Sequence, residues 1–118
     1  MEILNLESFK TKIFDFETAK AWSFLGQRPA IIDFYADWCG PCRMLAPVLE
    51  EVEKKYSGKV DVYKVDTEAV PELAAMFGVR GIPALLFIPT SGQPTMSSGF
   101  MPLEGFDHAI GEILKIKA

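Results

Sequence analysis

The segment Ala30-Ile31-Ile32-Asp33-Phe34-Tyr35-Ala36 constrains this chain more than any other. Its β-branched and aromatic residues predict a strand, and apart from Asp33 both of its faces are apolar. Such a strand belongs in the centre of a sheet, covered on both sides. A helix follows at once, from about Cys39 to Tyr56. Leu45, Val48, Leu49, Val52 and Tyr56 recur at the spacing of one helical face, and Glu50, Glu51, Glu53, Lys54 and Lys55 occupy the rest. Pro47, inside this helix, should kink it.

The remaining elements alternate around this unit. Ile3 to Leu6 reads as a short strand, and Glu7-Ser8 opens a helical stretch through about Phe14. Residues 15–28 show no clear period, but Phe16, Trp22, Phe24 and Leu25 predict that they pack on the core. Val60, Val62, Tyr63 and Val65 mark a strand; Pro71 opens a short helix that Gly78 ends. Ala84 to Ile88 is a second buried strand, and Pro94 to Ser98 a polar one suited to a sheet edge. Leu103, Phe106, Ile110, Ile113 and Leu114 trace a closing amphipathic helix. The order β-α-β-α-β-α-β-β-α predicts an α/β fold, a mixed sheet of about five strands with helices on both faces. At 118 residues the chain makes one domain, large enough to bury its own core.

Both cysteines stand in Trp38-Cys39-Gly40-Pro41-Cys42, where the long helix begins. Thiols three positions apart can close to a disulfide and reopen. A helix N-terminus offers free N–H groups and the positive end of the macrodipole, which stabilise the attacking thiolate. Two other readings stand beside the redox one. A structural disulfide across so small a loop would restrict the unfolded chain little. A structural zinc site needs four ligands, and the chain offers two Cys and one distant His108. A lone CxxC beside a βαβ pattern favours redox chemistry.

The net charge of −4 argues against a nucleic-acid partner, which would call for a basic patch. No Lys or Arg block suits an anionic membrane, and the longest apolar run, Ala84 to Ile88, is too short to span one. Met1-Glu2-Ile3-Leu4-Asn5 has neither a basic nor an apolar leader region, which predicts a cytoplasmic protein. A periplasmic location is the alternative, should a signal segment have been removed.

These motifs together resemble the thioredoxin family. Trp38-Cys39-Gly40-Pro41-Cys42 matches the family's active-site sequence, and Asp33-Phe34-Tyr35-Ala36 its Asp-bearing strand. Ala46-Pro47 falls at the kinked-helix position, Arg80-Gly81-Ile82-Pro83 at the cis-proline loop, and Ser98-Gly99 at the late glycine. The resemblance runs from about Pro29 to the C-terminus. Residues 1–28 depart from it, longer and richer in aromatics than the usual opening. Tyr35 stands where the best-known members carry Trp, and Phe100 and Met101 are bulkier than usual.

The resemblance implies a thioredoxin-like fold over residues 1–118 and a protein-disulfide reductase without a bound cofactor. Cys39 would attack a substrate disulfide and Cys42, more deeply buried, would resolve the intermediate. Gly40 and Pro41 let the helix start between them. Asp33 would take the Cys42 proton, its pKa raised by burial; a water-facing Asp on an edge strand is the other reading. Lys64 falls where the family pairs a Lys with this Asp, although alone it reads as a surface lysine. Arg43 would add positive potential or simply be solvated. Pro83 would be cis by resemblance, although about one X–Pro bond in twenty is. Trp38, Gly81, Ile82, Pro83 and Gly99 would then converge into a patch for extended, disulfide-bearing segments; scattered surface apolars are the alternative. His108 reads as a solvated residue of the last helix. The implied partners are disulfide-containing proteins and a thioredoxin reductase, with this chain a monomer. Other uses of the fold are an extracytoplasmic oxidase, isomerase or electron relay, and a non-catalytic binding subunit.

Overall fold

A computed structural model describes residues 1–118. Strands β1 (Glu2–Ile3), β2 (Ala30–Tyr35), β3 (Asp61–Asp66), β4 (Ala84–Ile88) and β5 (Thr95–Ser98) form one sheet in the order β1-β3-β2-β4-β5. β1 and β2 run parallel to β3, and β4 runs antiparallel to β2 and β5. Helices α1 (Leu6–Lys12), α2 (Gly40–Lys55), α3 (Pro71–Met76) and α4 (Leu103–Ala109) cover it. The central strand is β2, as its two apolar faces require. Ile31 joins Val62, Leu85 and Phe87 in a core completed by Leu45, Leu49 and Val52 of α2 and by Phe106 of α4. Ala30, Ile32 and Phe34 point the other way, into a core with Phe9 of α1 and Leu73 of α3. No helix is long and apolar enough to cross a membrane.

The end of α2 is tied to α4 by a small polar cluster. Tyr56 Oη donates to Asp107 Oδ1 at 2.6 Å, and Lys55 Nζ donates to Oδ2 at 2.8 Å. These bonds, Lys55's first, hold the Asp107 pKa below the usual carboxylate range. Burial and the Asp107 bond push the Tyr56 phenol up to about 12. Asp107→Ala should therefore destabilise the fold at pH 7 by about 1 kcal/mol, two charge-assisted bonds discounted for solvent access. A depressed carboxylate contributes above its unfolded pKa and loses that contribution as pH falls through the folded one. The difference from wild type should be complete at pH 7 and shrink below about pH 4 in urea titrations.

Local chemistry moves several boundaries from those the sequence suggests. β1 stops at Ile3 because Asn5 caps α1: its side chain accepts the Ser8 N–H at 2.8 Å, while Ser8 Oγ accepts the Asn5 N–H at 2.9 Å. Leu6 is therefore helical rather than extended. Residues 15–28 form turns and loops with no regular element, and their aromatics do pack on the core. Phe16 stacks against Phe9, Trp22 against Phe14, and Phe77 of the α3 end meets Phe9, Trp22 and Phe34. Leu25 does not pack with them: its side chain is nearly half exposed, and the residue is held by its backbone N–H, which donates to the Ile13 carbonyl. The closing helix changes at Ile110 into a π-helical stretch through Leu114, which keeps Ile110 and Leu114 in the core.

Candidate active site

The β2–α2 junction builds the redox pair. Cys39 is the N-cap of α2 in extended conformation, Gly40 and Pro41 form the first turn, and Cys42 lies one turn inside. Pro41 costs no hydrogen bond there, since first-turn N–H groups have no helical partner. The two cysteines are joined as a disulfide with Cα atoms 5.2 Å apart. Cys39 Sγ accepts the Cys42 N–H at 3.2 Å, so the helix end already stabilises electron density on that sulfur. In this closed form the two residues are equally buried, each 5% exposed. The greater exposure expected of Cys39 is not present in the closed disulfide, where both cysteines cluster with Ala36 against Tyr35 and Ile82. What separates them is their surroundings.

Cys39 faces the loop before β4. Its Sγ lies 3.8 Å from the Ile82 carbonyl oxygen, and the Ile82–Pro83 bond is cis. Pro83 is buried, and its carbonyl accepts the Gly99 N–H at 2.8 Å, which ties the loop to the end of β5. Gly99 has φ +92° with open space where a side chain would stand, so its backbone conformation is what glycine supplies there. Trp38, Gly81 and Ile82 converge on a cleft of about 180 Å³ with Thr67, Ala74, Val79 and Arg80. Trp38 is 67% exposed, and Gly40 and Pro41 are exposed beside it. Trp38, Gly81 and Ile82 thus share one cleft, with the buried Pro83 next in the chain and the half-buried Gly99 bonded to it. Phe100, next to Gly99, adds an aromatic ring that is 46% exposed.

Cys42 faces the opposite way, onto a cleft of about 160 Å³ lined also by Tyr35, Ala36, Asp37, Arg43, Ala46 and Lys64. Both clefts are smaller than the roughly 300–1,000 Å³ that encloses a small-molecule substrate. A larger polar hollow of about 540 Å³ lies at the β1–β3 edge, away from the sulfurs, around Met1, Arg28 and Asp61.

Asp33 is wholly buried in β2, and neither carboxylate oxygen has a hydrogen-bond partner. Burial raises its pKa to about 6, against a smaller opposing pull from the Lys64 charge. The water-facing reading of Asp33 is thereby excluded. Lys64 is in register with Asp33 across β2 and β3, but its ammonium forms no ion pair with the carboxylate. It sits instead 4.2 Å from the centroid of the Tyr35 ring. An ammonium there keeps part of its hydration, whereas direct contact with Asp33 would strip it.

Glu68 is the residue that the sequence reading missed. Its carboxylate accepts the Trp38 indole N–H, and it stands on the turn that Asp66 organises by accepting the Glu68 N–H at 2.9 Å. The signal was indirect. In a parallel pair the two C-terminal ends lie together, so the turn after β3 had to flank the Trp38 loop after β2.

The chain matches the family model described as Thioredoxin over residues 4–112. It is 49% identical to the thioredoxin of Borreliella burgdorferi over 107 residues, 91% of this chain and 92% of that protein. With a thioredoxin of Synechocystis sp. it shares 39% identity over 95 residues, 80% of this chain and 79% of the other. The crystal structure of chloroplastic thioredoxin z superposes with a TM-score of 0.79 at 30% identity, covering 96% of this chain and 93% of that one. A family model spanning nearly the whole chain, and a relative that aligns along about nine-tenths of both lengths, place this chain in the thioredoxin family as a thiol–disulfide oxidoreductase.

Proposed function

We propose that this protein reduces disulfides of other proteins, with Cys39 as nucleophile, Cys42 as resolving thiol and Asp33 as proton acceptor. The observation that carries the reading is the position of Cys39 Sγ. It caps α2, lies 3.8 Å from the Ile82 carbonyl, and borders the exposed surface of Trp38, Gly40 and Pro41. An extended substrate segment can pair with the Ile82 backbone, which brings its disulfide onto Cys39.

The exchange then runs in two displacements. The Cys39 thiolate attacks one substrate sulfur, the substrate S–S bond breaks, and a mixed disulfide and a substrate thiolate result. Cys42 gives its proton to Asp33 and attacks Cys39 Sγ. The mixed disulfide breaks, the second substrate thiolate leaves and takes up a proton, and the Cys39–Cys42 disulfide remains. Two electrons have passed to the substrate. A thioredoxin reductase, the family's usual partner, returns them. Trp38, Gly81, Ile82, Pro83 and Gly99 shape the substrate surface, and Lys64 adjusts the proton acceptor. We place this monomeric reductase in the cytoplasm, where a working dithiol is kept reduced.

The purified protein should reduce insulin with dithiothreitol as electron source. Its potential should lie near the about −270 mV of a reducing thioredoxin. Gly40-Pro41 between the cysteines motivates this, as the dipeptide of the family's reductants. Equilibration with glutathione or dithiothreitol buffers measures it. A value above about −180 mV, the range of isomerases, would overturn the reductase direction.

A further inference from the structure

Tyr35 occupies the site's inner wall, and the exchange mechanism leaves it without a task. It is two residues from Asp33 on the same face of β2, next to β3. Its ring carries the Lys64 ammonium at 4.2 Å, and both residues line the cleft onto which Cys42 opens. Lys64 also borders a second hollow with Glu50, Glu53 and Lys54, where the Met1 ammonium lies 3.5 Å from Glu53 and leaves Glu50 the carboxylate without a cation partner. The lysine thus has two carboxylate-bearing surroundings within reach, the buried Asp33 and the hydrated glutamates. It occupies neither.

We propose that Tyr35 is a positioning residue for the exchange reaction: its ring seats the Lys64 ammonium at the mouth of the Cys42 cleft, near enough for its charge to act on Asp33 and held off the carboxylate. The oxygens of Asp33 then stay unbonded and available for the Cys42 proton. The proposal rests on the reading of Asp33 as proton acceptor. The groups facing Asp33 are few. Lys64 approaches from β3, Tyr35 from its own strand and Leu85 from β4, and Lys64 is the charge that acts on it. Asp37 and Arg43 line the cleft farther out. A lysine without its aromatic seat is a four-carbon tether with Glu50 and Glu53 in the neighbouring water. It should move to them, because the buried carboxylate can be met only by shedding hydration.

The test is a cycle read by ¹³C NMR titration of the Asp33 carboxyl in the oxidised protein, where no thiol titrates. With Tyr35 present, Lys64→Met should raise the Asp33 midpoint by about half a unit to one unit. In a Tyr35→Phe background, which keeps the ring face, the same change should raise it equally. In Tyr35→Leu it should raise it by less than about a third as much, whatever Leu itself does to solvent access. Tyr35→Met, a flexible filler, provides a second ring-free background should Leu not fold. An equal effect of Lys64→Met in ringed and ring-free backgrounds would overturn the proposal, as would no effect with Tyr35 present. The proton-acceptor reading is judged separately, by the insulin-reduction rate of Asp33→Asn. A wild-type rate there removes that reading, while the cycle still reports whether Tyr35 seats Lys64.

Discussion

Cys42→Ser protein mixed with a disulfide-bearing lysate should accumulate covalent complexes that dithiothreitol dissolves, and Cys39→Ser should accumulate none. Both should lose insulin reduction by about a thousandfold or more, as removal of a nucleophile that acts as part of a unit does. The two defects differ in where the reaction stops. Exposure gives no basis for the difference, because the sulfurs are equally buried in the closed disulfide. The environment does. Cys39 Sγ receives the Cys42 N–H at the head of α2 and sits against the Ile82 carbonyl, where a substrate backbone can pair. Cys42 lines the inner cleft by Lys64. A substrate disulfide can therefore reach Cys39 first, and with Cys42 gone nothing displaces it. Non-reducing gels of the two variants read this directly. Equal trapping by both would mean that reduction opens the inner cleft and that either thiol can attack.

The parts of this architecture that were legible in the sequence are those fixed by neighbours in the chain. The two-faced strand β2, the stripe of Leu45, Leu49 and Val52 on α2, and the Gly78 stop, with φ +65°, all follow from local pattern. The cis Ile82–Pro83 bond did not; pattern alone favours trans, and only the family resemblance pointed the other way. What escaped lies in contacts across the sheet. Glu68 meets Trp38 because parallel pairing of β2 and β3 aligns their ends. Lys64 rests on Tyr35 rather than on Asp33 because its ammonium keeps more water there. Residues 15–28 carry enough aromatics to demand burial, but burial of Trp22 and Phe24 is satisfied by a loop as well as by a helix. The π-helical turn at Ile110 also escaped, since its apolar positions fit the spacing of an ordinary helix.

Asp33 is the residue whose placement harms the fold and, on the proposed reading, serves the chemistry, and Asp33→Asn should separate the two. The wild-type carboxyl is wholly buried, unbonded, and has its pKa raised to about 6 by desolvation. For an acid whose folded pKa lies above its unfolded one, the unfolded chain ionises first, so stability falls as pH rises from about 4 to about 6. With each pH unit worth roughly 1.4 kcal/mol, the loss is about 2–3 kcal/mol once the window is passed. Asn keeps the shape and removes the charge, though its amide is itself unpaired. The variant should thus be more stable at pH 8 by about 1–3 kcal/mol, with the gain shrinking at pH 4, where wild-type Asp33 is protonated. The cost appears in the reaction. Without the carboxylate as proton acceptor, the Cys42 thiol must ionise on its own, and insulin reduction should slow by about tenfold near pH 7. That is less than the roughly hundredfold or more that general-base assistance usually supplies, because a thiol with pKa near 8.5 ionises partly unaided. Urea denaturation at pH 4 and pH 8, with reduction rates on the same samples, tests both halves. A stabilised variant that reduces insulin at the wild-type rate would make Asp33 a burden with no catalytic return; a slow variant without the pH 8 gain would mean that water reaches the carboxylate in solution.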